Sequence, residues 1–318
     1  MFNTNIHHFL QQFDYPWLKS FAELISTLGT LPFVLTIVFT IAFGLHFKKG
    51  IVLLNIVAWT ALFTFFIKQQ IDYPRPVDVD TTLQSDNYNK VNFNLKEELP
   101  AEFTETFSGK ILEVTRNDTE KNYGFPSGHT SIQVALWLGI FFIFKKRWIA
   151  FVGLVAVLLT MFSRLYLVHH FLGDNIGGLF IGLITLAFLI VWVQKSRFLK
   201  TPIADFKTLS LLWLPFLVIP FASYFSVSIL GSLLGVNLAA LFIILQGNTL
   251  LFITSTVKRI VTAMAMLSIV LLGFYFSKKM FSSESNFIQL FSYVSLFFIL
   301  IRAGVLLAKQ LNFIKYKV

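Results

Sequence analysis

The chain has 318 residues, of which 56% are hydrophobic and 13% charged, and its mean hydropathy is +0.72. That excludes an ordinary soluble domain, in which about 25% of residues are charged, and predicts a polytopic all-α membrane bundle. The absence of cysteine excludes disulfides and thiolate metal sites. The net charge of +10 sits in short turns between apolar runs, which reads as a topology signal and not as a nucleic-acid surface.

Met1 to Glu23 mixes Phe2, Phe9, Leu10, Phe13, Trp17, Leu18 and Phe21 with polar residues at loosely helical spacing. It is expected to be an interfacial helix, with Trp17 as an aromatic anchor and no cleavable leader. A spanning helix needs roughly 20 apolar residues, and about nine segments qualify. They cover 27–46, 50–67, 127–144, 148–165, 173–193, 208–229, 234–256, 260–277 and 286–307. The basic turns at Lys48-Lys49, Lys145-Lys146-Arg147, Lys195 to Lys207, Lys258-Arg259 and Lys309 to Lys317 alternate with acidic or neutral ones. This pattern places them inside, with the N-terminus outside and the C-terminus inside. Lys278 and Lys279 break the pattern.

Between the second and third segments the chain turns polar and acidic, from Asp72 to Lys121. An external loop of roughly 50 residues (about 69–125) is expected there, either a functional lid or a disordered stretch. Asn117-Asp118-Thr119 fits a glycosylation acceptor. Gly173 with Gly177 and Gly178 with Gly182 give the fifth segment a small-residue face for close helix packing, and Gly231 with Gly235 form a similar pair. Pro215 and Pro220 are expected to kink 208–229. Arg302, near the end of the last segment, is placed to snorkel.

Three polar stretches emerge on the outer side of this scheme: Lys68 to Pro76, Pro126 to His129 and Ser163 to Asp174. Ionisable residues at membrane depth are costly, so such a cluster is a functional-site hypothesis. Taken singly, each has a bland reading: Lys68 as a snorkelling helix end, Arg75-Pro76 as a turn, Pro126-Ser127-Gly128 as the start of a helix, His129 as a satisfied polar residue, and Arg164 as a structural partner of Asp174. Together, Lys68, Arg75 and Arg164 suit a phosphate, with Arg supplying bidentate forks and Lys a compact charge. Ser127 and Gly128, where a helix begins, offer backbone N–H groups and the positive end of its dipole. His170 and Asp174 are four residues apart, so on a helix the carboxylate would orient one ring nitrogen while the other attacks phosphorus. His129 would then protonate the leaving oxygen.

The spacing Lys68-x6-Arg75-Pro76, then Pro126-Ser127-Gly128-His129, then Ser163-Arg164-x5-His170-x3-Asp174, resembles the three-part signature of the type 2 phosphatidic acid phosphatase and vanadium haloperoxidase superfamily. The resemblance covers roughly residues 1–200. It implies a metal-independent phosphatase without a cofactor. His170 would carry the phosphohistidine and His129 would be the leaving-group acid, with Lys68, Arg75, Ser127, Gly128 and Arg164 around the phosphate. The same spacing makes the neighbouring His169 a decoy. Hydropathy points to the membrane lipid phosphatases, with the site on the periplasmic or extracellular side of a bacterial inner membrane. Implied substrates are phosphatidic acid, phosphatidylglycerophosphate, undecaprenyl pyrophosphate or lipid A phosphate. The competing reading is a lipid or anion transporter or flippase that uses the same cations only to bind. Residues 201–318, expected to add about four spans, have no counterpart in the minimal family core and no assigned role.

Overall fold

The computed structural model describes residues 1–85, 95–117, 123–200, 205–246, 249–251, 254–281 and 285–317. The glycosylation pattern at Asn117 to Thr119 lies mostly outside the described residues. Helices dominate: α1 (Asn5–Gln11), α2 (Pro16–Thr27), α3 (Leu31–Phe39) continued by a π-helix (Thr40–Leu45), α4 (Phe47–Ile71), α5 (Pro76–Val79), α6 (Gly109–Arg116), α7 (Gly128–Phe144), α8 (Arg147–Tyr166), α9 (Leu172–Ser196), α10 (Ser210–Trp213), α11 (Val227–Leu245), α12 (Thr256–Phe281) and α13 (Asn286–Gln310). A short antiparallel pair joins β1 (Thr249–Leu251) to β2 (Lys315–Lys317).

Six helices among the described residues are long and apolar enough to cross a membrane, or seven if Pro16–Thr27 and Leu31–Leu45 count as one broken span. The expected nine are therefore not all present as full spans. Hydropathy measures apolar length, and three segments meet it without forming one long helix. The helix α7 has 17 residues, a rise of about 26 Å against a hydrocarbon core of about 30 Å. In 208–229 the prolines intervene: α10 gives way to a 3₁₀ stretch, Leu214–Tyr224, that contains Pro220 and leaves helical geometry at Phe221. The segment 27–46 begins in the Leu28–Thr30 turn and ends in the π-helix.

The chain forms two compact units, Met1–Thr30 with Phe63–Leu186, and Leu31–Leu62 with Ala187–Val318. In the first, the N-terminal segment is not one interfacial helix. It breaks into α1 and α2 at Gln12–Tyr15, and both pack on α8. Ser163 donates to the Ala22 carbonyl at 2.6 Å, Tyr166 to the Phe13 carbonyl at 2.9 Å, and the His7 ring to the Leu165 carbonyl at 3.0 Å. Trp17 stays 67% exposed, as an interfacial anchor would. The small-residue face of α9 meets α7 directly: a side chain on Gly178 would overlap the Ser127 carbonyl, and one on Gly182 the Ser131 carbonyl and Val134.

The described part of the polar loop is structured by its few apolar residues. Val79, Leu95, Phe107 and Ile111 are buried with Phe2 and Phe171 in one cluster. Phe107 lies 5.1 Å from Phe2 and 5.3 Å from Phe171, ring centre to ring centre. Buried Asp80 ties this loop to the N-terminus by accepting from Thr4 and His8 at 2.8 Å each and from Thr82 at 2.6 Å. Burial alone would raise its carboxyl pKa, but the hydrogen bonds from Thr82, His8 and Thr4 outweigh that and hold it below the ordinary range.

In the second unit, Gly231 and Gly235 of α11 pack against Tyr293, Leu290, Val294 and Phe297 of α13. Arg302 reaches Gln246 at 3.4 Å, beyond the C-terminus of α11. Fully buried Asn55 and Asn237 exchange amide hydrogen bonds at 2.9 and 3.0 Å. Such a pair is strengthened by the lack of water, so a double-mutant cycle on Asn55→Ala and Asn237→Ala, read by unfolding in mixed micelles, should show a coupling of about 1 kcal/mol. Additive effects would mean that the pair contributes no mutual stabilisation.

Candidate active site

All eight predicted site residues fall in the first unit, and the backbone brings their three stretches together. The Arg75 guanidinium donates to the His169 carbonyl at 2.7 Å, joining the first stretch to the third. The Ser127 N–H donates to the Asp174 carbonyl at 2.9 Å, joining the second to the third. Lys68, near the end of α4, donates to the Tyr123 and Gly124 carbonyls at 2.7 and 2.9 Å, just before Pro126. Arg164, in the last turn of α8, donates to the Ser26 hydroxyl at 2.6 Å. In these four contacts the acceptors are neutral oxygens of the scaffold.

Ser127 caps α7. Its side chain accepts from the Thr130 N–H at 3.5 Å and the Thr130 hydroxyl at 3.1 Å. The Gly128 and His129 N–H groups belong to the first turn, where no intrahelical acceptor exists, so they are the natural anion donors of this helix. The Ser127 backbone, by contrast, is taken by Asp174. Its contribution to a bound anion is left to the hydroxyl proton.

His170 is not on a helix, as its spacing from Asp174 suggested. It sits in the turn between α8 and α9, and α9 begins at Leu172. The pair forms nonetheless, Nδ1 to the Asp174 carboxylate at 3.3 Å, because Asp174 stands in the first turn of α9 and also accepts the Phe171 N–H at 2.9 Å. One carboxylate oxygen therefore both caps the helix and faces the imidazole. The other is buried with no hydrogen-bond partner among the described residues. Both side chains are essentially inaccessible, at 3% and 0%. Burial, then the charges of Arg75, Arg164, Lys68 and His129, hold the His170 imidazole well below its ordinary pKa. It is neutral at pH 7, the state in which a ring nitrogen can attack.

Two features escaped sequence reasoning. The first is Gly29, in the turn between α2 and α3. A Cβ there would stand 2.8 Å from Cγ of His129, so the glycine backs the imidazole. An isolated glycine 100 residues upstream carries no readable signal. Gly29→Val should displace the ring by about the size of a methyl group and lower turnover about 10–100-fold while the protein stays folded; unchanged turnover would show that His129 does not need that wall. The second is the His169 backbone carbonyl, which holds Arg75.

Residues 49–198 match the sequence profile of the PAP2 superfamily and form a PAP2 superfamily domain. Over 79 residues the chain is 35% identical to the lipid A 4'-phosphatase of Porphyromonas gingivalis, a stretch covering 24% of this chain and 34% of that protein. The chain thus aligns with about a third of the length of that relative. No solved structure matches.

Proposed function

We propose that this PAP2 superfamily domain hydrolyses a phosphate monoester or diphosphate of a membrane lipid, without a metal, through a phosphohistidine on His170. The observation that carries the proposal is the buried His170–Asp174 pair at 3.3 Å, surrounded by Lys68, Arg75 and Arg164. Asp174 keeps the proton on Nδ1, so Nε2 has its lone pair free for phosphorus. Nε2 forms the N–P bond as the bond from phosphorus to the lipid oxygen breaks, and His129 delivers its proton to that oxygen. Water then attacks the phosphohistidine, His129 takes its proton, and inorganic phosphate leaves with His170 restored. The three cations and the first-turn N–H groups of α7 stabilise charge that builds on the equatorial oxygens.

The basic turns orient the site toward the outer face of the membrane, and the six to seven candidate spans make the protein integral and multi-pass. Candidate substrates are phosphatidic acid, phosphatidylglycerophosphate, undecaprenyl pyrophosphate and lipid A phosphate. The partial likeness to a lipid A 4'-phosphatase favours the last of these. The decisive experiment is phosphate release from this panel in detergent with a chelator present, wild type beside His170→Ala. Release by wild type alone is the expected result. Folded wild-type protein that releases nothing, yet moves a lipid or anion across liposomes, would establish the transporter instead.

A further inference from the structure

One buried ring meets all three stretches of the phosphate site. Phe2 is only 5% exposed, and its ring packs edge-on against Tyr73 with centres 5.2 Å apart. The same ring lies 6.2 Å from Phe125 and 6.0 Å from Phe171. Tyr73 stands two residues before Arg75, Phe125 two before Ser127, and Phe171 directly after His170. Beside Asp174 the approach is closer still: a Cβ on Gly173 would overlap the Phe2 ring, and the Gly173 N–H donates to the Met1 carbonyl at 3.2 Å. Gly173 and Gly177 were expected to form a face for helix packing. They seat two phenylalanine rings instead, since a Cβ on Gly177 would overlap Phe125.

The position of these neighbours gives the contacts their weight. Tyr73, Phe125 and Phe171 all lie outside helices, in the segments that lead into α5, α7 and α9. Intrahelical hydrogen bonds do not fix such segments relative to one another, so contacts between them must. The backbone supplies part of the register, through the Gly124 N–H on the Tyr73 carbonyl at 2.6 Å and the Ser127 N–H on the Asp174 carbonyl at 2.9 Å. Phe2 supplies a wall common to all three. Edge-to-face aromatic contacts have a defined geometry, and a close-packed interior passes a displacement on to its neighbours.

We infer that Phe2 is a positioning residue of the phosphate site: its ring holds Arg75, the start of α7 and the His170–Asp174 pair at their working separations without touching the phosphate. The inference rests on the phosphatase reading of that site. A misplacement of about 1 Å among reacting groups costs about 100-fold in rate. Loss of the ring should therefore show in turnover at temperatures where the protein is still folded.

The test measures lipid phosphate release and its inhibition by orthovanadate for wild type, Phe2→Leu, Phe2→Ala and Leu95→Ala, each well below its own unfolding temperature. Leu95 is buried in the same cluster and controls for lost packing alone. Phe2→Ala should lower kcat/KM about 10–100-fold and weaken vanadate inhibition by a similar factor, because the five-coordinate vanadate adduct needs the geometry of the transition state. Phe2→Leu should fall between Phe2→Ala and wild type, and Leu95→Ala should keep both values near wild type. A second cycle uses Gly173→Ala, which should impair the wild type but cost little more in Phe2→Leu, since leucine lacks the Cε and Cζ atoms that Gly173 faces. That cycle decides the matter if Phe2→Ala does not fold. Folded Phe2 variants with unchanged turnover and vanadate inhibition, equal losses in Phe2→Ala and Leu95→Ala, or additive effects of Phe2→Leu and Gly173→Ala would each overturn the positioning role while leaving the phosphatase intact. No release from any lipid of the panel by folded wild type overturns the phosphatase reading itself.

Discussion

His170→Ala is expected to lower lipid phosphate release by at least about 10⁴-fold, because the substitution removes the atom that accepts the phosphoryl group and no neighbouring side chain can replace it. His169 is adjacent in sequence, yet its backbone carbonyl is held by Arg75. His169→Ala should accordingly cost far less than His170→Ala. Substrate binding should survive in His170→Ala, since the cations and the α7 N-terminus remain. An acid-labile phosphoryl group should be trapped on wild type by a rapid quench and be missing from the variant. The wild-type pH profile carries the same signature. The His170 pKa is pushed well below 6.5, so the nucleophile stays neutral as pH falls through 6.5, and the acid limb of the rate should lie well below that value. An equal loss of activity in the two histidine variants, or trapped phosphate on His170→Ala, would remove His170 from its role.

His129→Ala is expected to cost about 10²–10⁴-fold on lipid substrates, the range for a lost general acid or base. Its effect should depend on the leaving group in a way that a packing defect would not. A lipid alkoxide needs a proton as it departs, whereas p-nitrophenolate does not. With p-nitrophenyl phosphate the variant should still release its first equivalent of p-nitrophenol, then stall, because the water that clears the phosphohistidine has lost its base. Accumulation of phosphoenzyme is the readout. If p-nitrophenol release falls as steeply as lipid hydrolysis, His129 positions the phosphate and does not transfer the proton. Gly29→Val provides an independent approach to the same imidazole, since it crowds the ring without removing it.

The contacts of the three stretches explain why so much of the site could be read in one dimension. Lys68, Arg75, Ser127, Arg164 and Asp174 are bound to backbone carbonyls, backbone N–H groups or a serine hydroxyl. Backbone partners exist whatever residue supplies them, so the reactive side chains alone define the pattern. Gly29 and the Phe2–Phe107–Phe171 cluster behave differently. Each matters through a neighbour far away in sequence, and each is of a type that is common in loops and membrane chains. The loop after α4 illustrates the limit: its acidic composition masks Val79, Leu95, Phe107 and Ile111, too widely spaced to show any period.

From its sequence by itself, the protein was determined to be an all-helical membrane protein with a three-part cationic and histidine signature, because apolar length and the spacing of ionisable residues are properties of the chain. Pro215 and Pro220 announced the break in 208–229, but only the tertiary structure decided that 27–46 is not one long continuous helix, since that depends on where the Leu28–Thr30 turn and the π-helix interrupt helical hydrogen bonding. It alone put His170 in a turn and Asp174 at a helix start, a geometry in which one carboxylate oxygen meets both a backbone N–H and an imidazole. And it alone put Gly29 behind His129, for packing between distant segments arises from the shape of the folded surfaces, which no local pattern encodes.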